Sequence, residues 1–99
     1  MNTQDHLLAD YRRNIDDINR ELVSLLAKRF EITRALSEHK NRVGLPARHR
    51  KREEEQIVQL QKLAEEVGVD RLFLKRFMQL IYDEVVHQNE VDKKLPAQN

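Results

Sequence analysis

The chain has 99 residues, 39% hydrophobic but only 5% aromatic, with 35% charged residues and just two glycines and two prolines. Lys+Arg 18 against Asp+Glu 17 leaves a formal net charge of +1, so no one-signed field is available for general nucleic-acid binding. The lack of cysteine excludes disulfides, thiol catalysis and cysteine-ligated metal, and no apolar run approaches the ~20 residues of a membrane span.

A chain rich in Leu, Ala, Glu, Lys and Arg with so few turn residues favours an all-α fold. The opening MNTQDHLLADYRR carries no signal-peptide apolar region, so the reading is one cytoplasmic domain over residues 1–99. The first predicted helix runs from about Asp5 to Asn41, with Thr3 or Asp5 as its N-cap. RVGLPAR (42–48) breaks it, since Gly44 is permissive and Pro46 cannot continue a helix. A second helix is predicted over 49–67, with Ile57, Leu60, Ala64 and Val67 at helical spacing. Gly68 suits the position just past its end, and Asp70 the N-cap of the third helix. That helix, 71–94, carries the stripe Leu74, Met78, Ile81 and Val85, with Phe73, Phe77 and Leu80 beside it. The closing LPAQN is expected to fray.

The length of the first helix is informative. About 36 residues rising 1.5 Å each make roughly 54 Å, against a radius of gyration of about 13 Å for a compact domain of this size. Such a helix overhangs any globule the chain builds alone, so its apolar seam needs another surface. A homodimer in which the first helices pair or interlock is the simplest arrangement.

That seam has a charged member. Stepping from Ile15 through Ile18, Leu22 and Leu25, the next inward position is Arg29, followed by Ile32 and Leu36. Lys40, eleven residues beyond Arg29, returns to nearly the same side, and Arg12 joins it from the other end. On the second helix the inward series 67, 64, 60, 57 continues back to Glu53, flanked by Arg52. On the third the stripe continues to Asn89, with Gln88 and Glu90 at its shoulders. Buried charges persist when paired or ligated, and a single Glu53 cannot neutralise Arg12, Arg29, Lys40 and Arg52 together. The pattern implies a small anion with two carboxylates, or a phosphate, between the helices. Glu53 and Asn89 would then read its hydroxyl or ether groups. Interhelical salt bridges in a coiled-coil dimer are the alternative.

Other constellations are weaker. His6, His39, His49 and His87 share no metal spacing, and there is no Gly-rich phosphate loop or nucleophile set. RHRKR (48–52) is followed at once by EEE without interleaved aromatics, which reads as solvated charges on a first helical turn rather than a nucleic-acid tract.

YRRNIDDINRELVSLLAKRF, then EHK, then LPARHRKREEE closely resembles the all-helical class of chorismate mutases, over about Leu8 to Glu90. The resemblance implies an intertwined homodimer with two equivalent sites and a cofactor-free, metal-free rearrangement of chorismate to prephenate. It implies that Arg29 binds one substrate carboxylate and that Arg12 crosses into the partner's site to help hold the dianion. Lys40 would contact a carboxylate and the ether oxygen, Arg52 would complete the cationic wall, and Glu53 would take the ring hydroxyl. Asn89 falls where the family usually has glutamine, the second donor to the ether oxygen. His49 stands where aspartate is common, and Val85 where serine often touches a carboxylate. Asn89 is one methylene shorter than glutamine, and Gln88 beside it would need a helix rotation of about 100° to substitute. Relatives on the same scaffold also include isochorismate-pyruvate lyases, and a mutase of 4-amino-4-deoxychorismate or a non-catalytic helical dimer are further readings.

Overall fold

The computed structural model describes residues 2–94. Three helices make up its regular structure: α1 (Thr3–Val43), α2 (Arg50–Val67) and α3 (Arg71–Lys94), with no strand among the described residues. The fold is all-α, one long helix followed by two shorter ones. The expected fraying of LPAQN lies outside the described residues.

Helix ends follow from local chemistry. α1 starts two residues earlier than its spacing predicts, because the cap is Asn2 rather than Thr3 or Asp5. The Asn2 side-chain Oδ1 accepts the Gln4 amide at 3.2 Å, and its carbonyl accepts that of Asp5 at 3.0 Å. At the other end Gly44 takes φ +76°, and the Leu45 amide closes onto the Lys40 carbonyl at 2.9 Å. α2 ends in a full Schellman turn: Gly68 has φ +82°, Val69 N–H bonds Ala64 O at 2.8 Å, and Gly68 N–H bonds Glu65 O at 3.4 Å. Asp70 caps α3 as predicted, its Oδ2 accepting the Phe73 amide at 2.8 Å. His49 precedes α2 with φ −127° and ψ 88°, and its side chain makes no capping bond.

The described chain divides into two compact units, one up to Thr33 and one from Arg34 onward. The first is a single amphipathic helix. Ion pairs Asp10–Arg13 at 3.2 Å and Asp17–Arg20 at 2.8 Å lie on its polar side, where exposed pairs stabilise by about 0–1 kcal/mol. On the opposite side Ile15, Ile18, Leu22 and Leu25 are 46–63% exposed. α1 has no fully buried residue.

The second unit is built around the α2–α3 pair. Its core is Ile57 and Ala64 from α2 with Met78, Ile81 and Tyr82 from α3, flanked by half-buried Leu60, Leu74, Phe77 and Val85. Two polar contacts fix an antiparallel register: Tyr82 Oη donates to Gln56 Oε1 at 2.8 Å, and Gln61 Nε2 donates to Arg71 O at 3.2 Å. The ring of Phe77 stacks on that of Phe73 with centroids 6.0 Å apart. Expectations about the core need correcting at Phe73, which is 51% exposed, and at Leu80 and Val67. Leu80 is 69% exposed, because it stands two positions from Met78 and so faces about 200° away. Tyr82, one turn beyond Met78, takes the buried place, and its hydroxyl stays satisfied by Gln56. Val67, placed in the α2 stripe by its spacing, is 66% exposed at the helix end.

Candidate active site

Residues expected to carry the chemistry lie in both units, and the second holds most of them. Lys40 is in the last turn of α1, where its carbonyl is locked by the Gly44–Leu45 turn. A cation there complements the negative end of the helix dipole. Its side chain is half-buried and has no ion pair or hydrogen bond among the described residues.

Glu53, in the first turn of α2, is engaged. Arg48, from the connector, grips it as a fork: Nε donates to Oε2 at 3.0 Å and Oε1 at 3.2 Å, and Nη2 donates to Oε1 at 2.9 Å. Nη2 of the same guanidinium pairs with Asp83 Oδ1 on α3 at 3.1 Å. The Arg48 and Glu53 side chains are 23% and 19% exposed, that of Asp83 66%. The hydrogen bond to Glu53 raises the Arg48 pKa above its ordinary value, opposed by desolvation and helped by Asp83. Arginine is a permanent cation, and the charge of Arg48 is already matched by Glu53 and Asp83.

This corrects the reading of RHRKR as a tract of solvated charges. Four of its five residues, His49 to Arg52, are exposed, but Arg48 folds back against Glu53. Arg52, expected beside Glu53, is exposed and makes no ion pair among the described residues. Sequence spacing did carry a signal for Arg48, a basic residue five positions before an acid across a helix start. It was indistinguishable from the four neighbouring basic side chains.

On α3, Val85, Gln88 and Asn89 are half-buried. Gln88 Nε2 donates to Glu84 Oε1 at 3.3 Å, and its own Oε1 is buried with no hydrogen-bond partner. The amide nitrogen of Gln88 is thus directed at Glu84, whereas Asn89 has no hydrogen bond from its side chain among the described residues. In the first unit, Arg12 is exposed. Arg29 is half-buried with its Nη1 shielded from solvent.

The charge balance is decisive for the chemistry. Glu53, the one acid in the expected set, is paired with Arg48, and Lys40 has no ion pair among the described residues. Residues 11–90 match the family described as chorismate mutase type II. The chain belongs to that family. A chorismate mutase of Methanocaldococcus jannaschii is similar to it, 33% identical over 75 residues, covering 75% of this chain and 76% of that protein. The family match begins just before Arg12 and ends just after Asn89, so it includes each of Arg12, Arg29, Lys40, His49, Arg52, Glu53, Val85 and Asn89.

Proposed function

We propose that the chain catalyses the rearrangement of chorismate to prephenate at a site built from Arg12, Arg29, Lys40, Arg52, Glu53 and Asn89. The observation that carries this reading is that Glu53 is paired with Arg48 while half-buried Lys40 has no ion pair among the described residues. A dianionic substrate supplies the missing negative charge. Arg50, Lys51 and Arg52 stand at the positive end of the α2 dipole, where Glu53 is the acid of the first turn and His49 makes no side-chain capping bond, so an anion is favoured nearby.

The reaction is unimolecular: the ether C–O bond of the enolpyruvyl group breaks as a C–C bond to the ring forms. All electrons and atoms stay in one molecule, so the protein's part is geometry and charge. Arg29 and Arg12 hold the carboxylates and fold the enolpyruvyl chain over the ring, a gain of the kind that positioning supplies. Negative charge grows on the ether oxygen as the C–O bond stretches. Lys40 and Asn89 donate to that oxygen and stabilise the transition state more than the ground state. Glu53 accepts the ring hydroxyl. Arg52 extends the cationic wall, and His49 and Val85 line the ring and carboxylate sides, where they contribute shape rather than the hydrogen bonds their usual counterparts make.

The working unit is a homodimer in which Arg12 reaches the partner's site. The uncovered stripe Ile15, Ile18, Leu22 and Leu25 supports this, since a helix of a water-soluble assembly buries such a stripe. No helix of the described residues is long and apolar enough to cross a membrane.

Incubation of the purified protein with chorismate, following its ultraviolet absorbance and identifying the product, tests the proposal. Prephenate formed at a catalytic rate is the expected result. Unchanged chorismate overturns it, and release of pyruvate from isochorismate would make the chain a lyase instead.

A further inference from the structure

We infer that Arg48 is a positioning residue for this reaction: it sets the Glu53 carboxylate in the orientation that receives the substrate's ring hydroxyl. The inference rests on the proposed function and adds to it a residue outside the expected set.

The geometry carries the argument. A glutamate on a first helical turn has three rotatable bonds, and ordering it costs side-chain entropy. Here Nε and Nη2 of Arg48 together grip both Glu53 oxygens at 2.9–3.2 Å, which fixes the carboxylate plane as well as its position. The fork is itself anchored, because the same Nη2 also pairs with Asp83 on α3 at 3.1 Å. One guanidinium therefore ties the connector to the first turn of α2 and to α3.

The fork does not exhaust Glu53. An ionised carboxylate has about four lone-pair sites, and two N–H groups of Arg48 leave acceptor capacity for a hydroxyl. Where an aspartate would offer the ring hydroxyl a second carboxylate, His49 offers none, so Glu53 is the one carboxylate in the expected set. Its aim matters correspondingly more. Lysine cannot replace Arg48 in this role, since an ammonium is a point charge without the planar fork.

A double-mutant cycle separates positioning from mere structural support. Chorismate kinetics are measured for wild type, Arg48→Lys, Glu53→Gln and the double variant, with urea unfolding of each. Arg48→Lys keeps the charge and should lower kcat/KM by the order of 10²-fold, the scale of a misplaced catalytic contact. In the Glu53→Gln background the same substitution should change kcat/KM by less than about threefold, because sites acting through one another are not additive. Binding of stable dicarboxylate analogues of the transition state gives a second readout. Arg48→Lys should weaken the analogue that bears the ring hydroxyl and leave the deoxy analogue unaffected. Arg48→Gln carries the same comparisons should Arg48→Lys fail to fold. Equal losses in both Glu53 backgrounds, or equal weakening of both analogues, overturn the inference while leaving the mutase reading intact. Wild-type protein that leaves chorismate unchanged overturns both.

Discussion

Replacing Lys40 with alanine should separate turnover from stability, and the structure sets the size of each effect. The side chain has no ion pair or hydrogen bond among the described residues, so its removal leaves no acid of the chain unpaired. Alanine gains a few tenths of a kcal/mol in helix propensity. Loss of a cation from the last turn costs a roughly similar 0.3–1 kcal/mol through the dipole. The cap is a backbone bond from Leu45 to the Lys40 carbonyl and survives the substitution. Stability should therefore stay within about 0.5 kcal/mol of wild type, as for an ordinary surface change. Turnover should fall by at least 10²–10³-fold, about 2.7–4 kcal/mol of transition-state stabilisation, the scale for deleting one preplaced donor to a developing oxyanion. Urea unfolding measures the first quantity and initial rates of chorismate loss the second. Near-normal kcat in Lys40→Ala refutes the role given to the ammonium. A fall in rate matched by a lost unfolding transition refutes the claim that this cation serves the ligand rather than the fold.

Three further outcomes follow from the same picture. Asn89→Ala should lower kcat by the order of 10²-fold, whereas Asn89→Gln, which restores the reach the family usually uses, should retain or raise it; an Ala variant as active as wild type removes Asn89 from the mechanism. Asp70→Ala deletes the cap on the Phe73 amide and should cost about 1 kcal/mol in urea unfolding with kcat/KM unaltered; an unchanged midpoint would show the cap to be energetically idle. Light scattering should give twice the chain mass for wild type, and Leu25→Glu, at a residue 63% exposed in the single chain, should shift it toward monomer with loss of activity; a fully active wild-type monomer would exclude the crossing of Arg12 into a partner's site.

The parts of this protein legible in one dimension are those decided by near neighbours in the chain. Gly44 and Gly68 end helices because each takes a left-handed φ that other residues adopt at a cost, and Asp70 begins one because its carboxylate lies within reach of the amide three residues on. Helical periodicity likewise located the α2–α3 core at Ile57, Ala64, Met78 and Ile81, since a 3.6-residue repeat maps directly onto one face. The register of charged residues in apolar stripes pointed to an anion for the same reason. What chain order left undetermined is which member of a crowded set wins a place. Five basic or imidazole side chains run from Arg48 to Arg52, and spacing favoured Arg52 as the neighbour of Glu53. Only the backbone turn at His49, together with an acid brought from α3 by packing, selects Arg48. Tyr82 prevails over Leu80 on the same grounds, because the α2–α3 register sets Gln56 opposite its hydroxyl. Local sequence determined the breaks at Gly44 and Gly68 and the start of α3 at Asp70; contacts between residues far apart in the chain decided which side chains meet.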